Sequence, residues 1–266
     1  MDITNNQLHQ LRLTGIAKTL STRLQEGQQE NWSYTEFLNG LLLDEIRYRD
    51  QKSSDGRLRK AKFRTQADFD HFDFTLKRSL TKTQLKELRE LTFLKSHQNL
   101  LLLGPTGVGK TFVATAIGHQ ACMEGHTVLF EGMNCLIETI KLNRMAGTFL
   151  RFRKKLIEAD LLIIDDLGIK PLPASAVQDL YDILEERYQS KATVITSQLP
   201  LANWKEVIAD EVALEAILDR LIHGQRRVHM VPTSKRVTKL LNLGVGVCTF
   251  HVSESACARG AGRALL

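Results

Sequence analysis

The stretch that decides the fold is Gly104-Pro105-Thr106-Gly107-Val108-Gly109-Lys110-Thr111. It fits the pattern G-x-x-x-x-G-K-[S/T], in which the glycines let backbone N–H groups wrap around phosphates. An apolar run precedes the motif and a helical pattern follows it, as the motif requires. All eight residues are expected to bind a nucleotide, with Lys110 reaching the β and γ phosphates and the Thr111 hydroxyl binding Mg²⁺. A glycine-rich turn formed by chance is the alternative.

A second apolar run, residues 161–164, ends in two neighbouring carboxylates, Asp165 and Asp166. Asp165 is expected to hold Mg²⁺, and Asp166 to orient or polarise an attacking water. A helix cap or a turn would also explain two acids here, but the earlier phosphate-binding motif favours a hydrolytic site. Hydrolysis of the nucleotide is therefore predicted rather than phosphoryl transfer to a metabolite, because a small-molecule kinase usually does not need the second acid.

Short apolar runs alternate with amphipathic stretches in the middle of the chain. Strands are expected at residues 99–103, 127–130, 161–165, 193–196 and 227–231. The segments between them are long enough for helices, which is typical of a parallel sheet covered on both faces. Residues 67–242 are therefore predicted to form an α/β domain with a parallel sheet between helices, after one more helix near residues 84–95.

Two further polar residues are candidates for the nucleotide site. Gln198 follows Thr196 and Ser197 at the end of the fourth expected strand. A polar side chain at this strand end can contact the γ phosphate or the attacking water. Arg220 follows an acidic helix and is a candidate arginine finger that reaches the nucleotide of a neighbouring subunit. An ion pair of Arg220 with Asp219 or Glu215 is the simpler alternative.

The first 66 residues are predicted to form a small all-helical domain. Apolar residues recur at helical spacing in residues 3–25, and Ser33 with Glu36 has the form of a capping box that starts a second helix. Asp55 and Gly56 are expected to end that second helix. The last segment, residues 243–266, has no periodicity and is expected to be disordered or loosely attached.

Positive charge is concentrated in two segments. The 266 residues include 36 Lys and Arg and 30 Asp and Glu, a net charge of +6. Residues 47–64 contain eight bases and two acids, and residues 141–155 contain six bases and no acid. Such segments favour salt-sensitive binding to DNA phosphates without sequence specificity, although a solvated helix face is the ordinary alternative. The expected DNA contacts are Arg47, Arg49, Lys52, Arg57, Arg59, Lys60, Lys62, Arg64, Lys141, Arg144, Arg151 and Arg153.

The composition excludes several classes of protein. Apolar residues make up 43% and charged residues 25%, which is ordinary for a globular domain and excludes fibrous and wholly disordered chains. The clearly apolar runs are far shorter than the ~20 residues of a membrane span, and the chain does not start with a signal-peptide pattern. A cytoplasmic protein without a membrane partner is expected. The four cysteines lack metal-binding spacing and are expected to be core or tail residues.

These features together resemble the IstB-like transposition helper ATPases, relatives of the DnaC helicase loaders within the AAA+ group. The resemblance covers about residues 5–240. Besides the motifs above, it includes Glu186-Arg187-Tyr188, Trp204 and residues 216–223, AILDRLIH. Leu11-Arg12-Leu13 and Gly15-Ile16-Ala17 are similar to the first helix of the family.

The resemblance implies an AAA+ fold, Mg²⁺-dependent hydrolysis of ATP, and a homo-oligomer that binds double-stranded DNA and stimulates a transposase encoded beside it. In this family the helical N-terminal region binds DNA and assists assembly, which suits the basic residues 47–64. Arg144, Arg151 and Arg153 come after the second strand, where loops of an AAA+ ring can face a central channel, and we expect them to lie in such loops. The matching positions are Lys110 and Thr111 for Walker A, Asp165 and Asp166 for Walker B, Gln198 for the first sensor and Arg220 for the arginine finger.

Two features depart from the family pattern. Asp166 stands where many AAA+ ATPases carry the longer Glu, which bears on the rate of hydrolysis. After the last strand only residues 234–241 have a helical pattern, too few for a full lid, in which Arg236 would be the second sensor.

Two other functions stay open. A replicative helicase loader would use the same site but prefer single-stranded DNA. A nucleotide-dependent scaffold with little turnover would lose nothing when Asp166 is replaced by Asn.

Overall fold

The computed structural model describes residues 2–70, 80–222 and 226–230. All of these belong to one compact unit, residues 1–232. The expectations for a reduced lid at residues 234–241, for Arg236 and for the tail at residues 243–266 fall outside the described residues. Within the described part of the chain, no helix combines the length and the apolar character that a membrane crossing needs.

Helices precede the first strand and then alternate with strands. The helices are α1 (Asp2–Gln10), α2 (Thr14–Gln29), α3 (Tyr34–Ala61), α4 (Lys82–Arg89), α5 (Thr92–Lys95), α6 (Lys110–Met123), α7 (Met133–Met145), α8 (Phe149–Glu158), α9 (Ala174–Arg187) and α10 (Glu211–Ile222). The strands are β1 (Leu100–Leu103), β2 (Val128–Gly132), β3 (Leu161–Leu167), β4 (Ala192–Ser197) and β5 (Arg226–His229), and a 3₁₀ helix (Leu201–Glu206) follows β4.

Within the described residues, five strands form one parallel sheet in the order β2-β3-β4-β1-β5. Leu101 of β1 pairs with Ile195 of β4, and Leu162 of β3 pairs with Thr193 of β4. Because all strands run in one direction, their carboxyl ends meet at a single edge, where α/β sheets bind their ligands. The predicted parallel sheet between helices is confirmed, with strand ends shifted by one or two residues.

Alternating side chains of the sheet build a core on each face. Leu100 and Leu102 of β1 pack into a cluster that includes Ile117 of α6. Leu101 and Leu103 pack into the opposite cluster, which includes Trp204 of the 3₁₀ helix. Full burial of each such leucine stabilises the fold by about 1.5–3 kcal/mol. The continuous apolar sequence of β1 follows from burial on both faces.

Helices α2 and α3 approach each other closely at Gly15. A Cβ on Gly15 would lie 2.7 Å from the Cβ of Tyr48 and 2.8 Å from the Cα of Glu45. The Glu45 carboxylate accepts the backbone N–H groups of Gly15 (2.6 Å) and Ile16 (3.1 Å), which are free donors in the first turn of α2. This anion at the start of α2 joins the two helices and also suits the helix dipole.

The predicted end of the second N-terminal helix at Asp55 and Gly56 is wrong. Helix α3 continues to Ala61, which is fully buried. Arg57, one residue beyond the expected break, donates its Nε–H to the carbonyl oxygen of Cys122 at 2.7 Å. Contacts with α6 therefore outweigh the weak helix propensity of this dipeptide.

Two other predicted helices are divided. Residues 3–25 form α1 and α2, separated at Arg12, whose φ is 58°. The helix expected near residues 84–95 is divided into α4 and α5 at Leu91, whose φ is 52°. The capping box of Ser33 and Glu36 is confirmed. The domain boundary at residue 66 stays a prediction.

Candidate nucleotide-binding site

The phosphate-binding loop leaves β1 at the carboxyl edge of the sheet and enters α6 at Lys110. A Cβ on Gly104 would lie only 2.0 Å from the carbonyl oxygen of Met230, so the chain passes through a gap that admits glycine alone. Gly107 and Gly109 have φ values of 84° and 93°, in the left-handed region that favours glycine. The free N–H groups at the start of α6 therefore follow directly on the loop, an arrangement suited to binding phosphate.

Lys110 lies over this loop and is only 5% exposed. Its ammonium group donates to the carbonyl oxygens of Gly104 (2.7 Å) and Pro105 (2.9 Å). Burial lowers the pKa of Lys110, and the carboxylates of Asp166 and Asp165 act in the opposite direction. The two neutral carbonyls are weaker partners than a phosphate anion, which would form charge-assisted hydrogen bonds with the same ammonium group.

Asp165 is 2% exposed and accepts hydrogen bonds from two threonines. The hydroxyl of Thr111 lies 3.1 Å from both carboxylate oxygens, and the hydroxyl of Thr196 donates to Oδ1 at 2.6 Å. Burial raises the pKa of Asp165, the bond from Thr196 lowers it, and the neighbouring Asp166 raises it again. The structure thus brings together the two residues predicted to bind Mg²⁺.

Asp166 occupies an irregular position in β3. Its φ is 60°, and the pairing with β4 shifts between Ile164 and Leu167, so one extra residue is accommodated here. The Asp166 N–H donates to the hydroxyl of Thr196 at 2.9 Å. Successive strand residues face opposite sides of a sheet, and a bulge breaks this alternation. Both carboxylates raise the pKa of Lys110, so each lies close enough to its ammonium group to interact with it.

The predicted first sensor contacts the phosphate-binding loop. Gln198 Oε1 accepts a hydrogen bond from the hydroxyl of Thr106 at 2.7 Å. Sequence reasoning grouped Thr196 with Ser197 and Gln198 at the strand end and selected Gln198 alone, because a polar strand-end residue such as Thr196 is an unspecific signal. Its position beside both acids depends on the register of β3 and β4.

Arg220 lies at the opposite edge of the sheet. Its carbonyl oxygen accepts a hydrogen bond from Asn99, the residue before β1, at 3.1 Å. Its guanidinium forms ion pairs with Glu185 and with Asp219 (2.6 Å) and lies 5.2 Å from the ring centre of Tyr188. The sequence suggested Asp219 or Glu215 as the ion-pair partner of Arg220. The structure confirms the pair with Asp219 and adds a second pair, with Glu185 of α9.

The basic residues of α3 differ in their surroundings. Arg47, Lys52, Arg59 and Lys60 are exposed. Others have intramolecular partners, because Arg49 pairs with Glu45 at 2.8 Å and Arg57 binds Cys122, Ser53 and Ser54. Lys62, also exposed, ends the helix with a left-handed φ of 59°.

The second basic segment is helical. The expectation that Arg144, Arg151 and Arg153 lie in loops is wrong, because Arg144 belongs to α7 and the other two to α8. Arg144 forms two hydrogen bonds with the buried carboxylate of Asp179 (2.5 and 3.0 Å), which attach α7 to α9. Arg153 lies 3.4 Å from Glu186, whereas Lys141 and Arg151 are exposed.

Arg64 lies near the nucleotide site. Its Nη2 lies 3.2 Å from the sulfur of Cys135 and would lie 2.8 Å from a Cβ on Gly132, the last residue of β2. Its charge acts on Asp165, lowering that pKa. Arg64 therefore lies beside the carboxyl end of β2, close to the predicted nucleotide site, whereas the bases of α3 described above belong to the helix before it.

The donors at this edge fit Mg²⁺. The hydroxyl of Thr111 and the carboxylate of Asp165 are hard oxygen ligands, and they already converge within 3.1 Å. Mg²⁺ is usually bound in proteins by one or two such groups together with phosphates. The residues present therefore match the ion that the phosphate-binding motif implies.

The sheet order, the loop between β1 and α6, and the acids at the end of β3 define a P-loop ATPase fold of the AAA+ group. The chain is similar to the solved structure of DnaI, with a TM-score of 0.53 and 19% identity, over 62% of this chain and 91% of that one. It is also similar to AMPPCP-bound DnaA from Aquifex aeolicus, with a TM-score of 0.53 and 17% identity, over 71% of this chain and 58% of that one.

The chain belongs to the IstB-like ATP binding protein family, whose profile matches residues 6–242. It is 38% identical over 233 residues to an insertion sequence ATP-binding protein, y4pL, of Sinorhizobium fredii, covering 88% of this chain and 95% of the relative. It is 31% identical over 238 residues to the ATP-binding protein of insertion sequence IS21 of Pseudomonas aeruginosa, covering 90% of each. The resemblance inferred from the motifs is confirmed.

Proposed function

We propose that this chain is the ATP-dependent helper of an insertion sequence. It assembles on double-stranded target DNA, hydrolyses ATP, and recruits or stimulates the transposase encoded beside it. The observation that carries the proposal is the similarity to insertion sequence ATP-binding proteins over about nine-tenths of the chain, nucleotide site included. The alternative function, a helicase loader, is the second candidate, because the similarity to DnaI concerns the fold alone.

Hydrolysis uses the groups at the carboxyl edge of the sheet. Mg²⁺, held by Thr111 and Asp165, would neutralise charge that develops on the phosphate oxygens. Lys110 exchanges its two carbonyl partners for the β and γ phosphates. Asp166 orients the attacking water, and Gln198, beside the phosphate-binding loop, contacts the γ phosphate.

Arg220 acts on the nucleotide of a neighbouring subunit. Its backbone is bonded to Asn99 before β1, whereas the phosphate-binding loop begins at Gly104 after β1. The five intervening steps of extended chain span roughly 16 Å. An arginine side chain anchored on Glu185 does not cover that distance, so any contact with ATP requires a second copy of the chain.

Double-stranded DNA is bound by exposed bases of α3 and α8. Arg12, Arg49 and Lys52 line a cleft of about 350 Å³ that also contains Glu45, and because Glu45 pairs with Arg49, the exposed Lys52 is the stronger candidate for a phosphate contact there. Neutralised phosphates release counterions, so affinity falls steeply with salt. Arg57 and Arg144 have partners within the chain and are expected to contribute less.

The test is ATP turnover with and without long duplex DNA, with the size of the assembly followed by sedimentation in the same samples. We expect duplex DNA to stimulate turnover and ATP to produce large assemblies on it. Arg220→Ala should abolish turnover and leave ATP binding intact, whereas Lys205→Ala, an exposed residue outside both basic segments, should change neither. Arg151→Glu should weaken DNA binding, while Lys205→Glu should not.

Other outcomes select the other functions. Stimulation by single-stranded DNA alone would favour the helicase loader. Assembly without turnover, unchanged in Asp166→Asn, would indicate a nucleotide-dependent scaffold. If charge reversal at Arg151 leaves DNA affinity unchanged, α8 is not part of the DNA-binding surface.

A further inference from the structure

We propose that Thr196 is a positioning residue that holds both Walker B carboxylates in their working geometry. The inference rests on the proposed hydrolysis of ATP at Asp165 and Asp166. The Thr196 hydroxyl positions these two acids relative to the bound nucleotide and its Mg²⁺.

The hydroxyl of Thr196 contacts both acids at once. It donates to Oδ1 of Asp165 at 2.6 Å and accepts the backbone N–H of Asp166 at 2.9 Å. Thr196 has no exposed surface, and Asp165 is almost equally buried, so water does not compete readily for these bonds. A hydroxyl has one proton and two acceptor lone pairs, and this pattern uses the proton and one lone pair.

The backbone at Asp166 makes this contact necessary. The residue adopts a φ of 60°, which is uncommon for residues other than glycine and is tolerated best by Asn and Asp. The regular pairing of β3 and β4 is interrupted between Ile164 and Leu167, so the Asp166 N–H has left the regular ladder. The side chain of Thr196 replaces the missing backbone acceptor and stabilises the bulge.

The bulge matters because of the direction of the two side chains. In a regular strand, neighbouring carboxylates face opposite sides of the sheet. Thr196 bonds one acid through its carboxylate and the other through its backbone, so the hydroxyl couples the orientation of the Mg²⁺ ligand to that of the water-orienting residue. Loss of the hydroxyl should therefore disturb metal use and turnover more than nucleotide binding itself.

Thr196→Val removes the hydroxyl and keeps the shape, whereas Thr196→Ser keeps the hydroxyl. Thr193→Val is the matched control, since it removes a hydroxyl near the start of the same strand, where that group contacts Arg187. Two readouts are needed. The first is the Mg²⁺ concentration for half-maximal binding of a non-hydrolysable ATP analogue, and the second is kcat and KM for ATP.

We expect Thr196→Val to raise the half-maximal Mg²⁺ concentration at least tenfold and to lower kcat 10- to 100-fold, with KM within about threefold of wild type. Thr196→Ser and Thr193→Val should stay within threefold of wild type in both readouts. An unchanged Mg²⁺ requirement in Thr196→Val would overturn the inference, as would an equal loss in Thr196→Ser. If the wild-type protein does not hydrolyse ATP, the proposed function fails, and the Mg²⁺ readout still decides the role of Thr196.

Discussion

Replacement of Arg187 by Met should remove a large part of the stability of the fold. Arg187 is 1% exposed, and its guanidinium joins the end of α8 to the start of β4. Its acceptors are the carbonyl oxygens of Leu156 (2.7 Å), Ile157 (2.9 Å), Ala159 (2.8 Å) and Ala192, and the hydroxyl of Thr193 (3.1 Å). Arg187 thus satisfies carbonyl groups that the last turn of α8 leaves without a helical donor.

The expected loss follows from the acceptors left behind. Arg187→Met keeps the side-chain length but leaves the buried carbonyls of Leu156, Ala159 and Ala192 without this donor. Each unsatisfied buried group costs about 1–3 kcal/mol, which gives about 3–9 kcal/mol for the three groups. The substitution also removes the cost of burying a charge, a cost that lowers the pKa of Arg187 to about 9. We therefore expect a loss near the lower end, about 3 kcal/mol, against a typical total of ~5–15 kcal/mol.

The assay is urea unfolding at neutral pH, followed by far-ultraviolet circular dichroism. Arg187→Lys keeps one charged donor group and should lose about half as much stability. Arg153→Met is the matched control, because Arg153 pairs at 3.4 Å with the exposed Glu186 and such pairs contribute about 0–1 kcal/mol. If Arg187→Met unfolds within 1 kcal/mol of wild type, or no further from it than Arg153→Met, the reasoning is refuted.

Gly118→Ala should cost about 1–3 kcal/mol in thermal unfolding, because the added Cβ would lie 2.6 Å from the ring of Phe63. Gly15→Ala should cost a similar amount, because its Cβ would lie 2.8 Å from the backbone of α3, and the same melting assay measures it. The hydrogen bonds from Arg23 lower the pKa of Asp44 to about 2, so this carboxylate stabilises the fold above its ordinary pKa, and the gain should be lost as the pH falls from about 4 to about 2. Asp44→Asn should make acid unfolding, followed by circular dichroism, less steep in that interval.

Each of these predictions has a control in the same chain. Gly56 lies inside α3, and apart from its chain neighbours and the backbone of its own helix nothing lies within 4 Å of an added Cβ, so Gly56→Ala should be neutral or stabilise by up to ~1 kcal/mol. Equal melting temperatures for the Gly56 and Gly118 variants would contradict the packing argument. Asp50 is exposed on α3, and Asp50→Asn should leave the acid transition unchanged. An Asp44→Asn protein that unfolds in acid like wild type would show that the ion pair contributes nothing.

The sequence by itself determined the features that depend on neighbours along the chain. The phosphate-binding loop is one continuous segment, because its glycines and Lys110 act through adjacent backbone groups. The five strands were predicted to within two residues at each end, because burial on both faces of a parallel sheet requires continuous apolar runs. The family also follows from the sequence, since its motifs are local patterns.

Only the tertiary structure decided which distant groups meet. The contact of Thr196 with both acids depends on the register of β3 and β4 and on a bulge that no local pattern indicates. The continuation of α3 past Gly56 depends on its contacts with α6, which overcome a local signal to stop. Arg64, Arg144 and the exposed bases differ in their surroundings for the same reason, namely tertiary packing. The partner of a charged side chain belongs to whichever element packs beside it, and the local sequence around the charge does not specify that element.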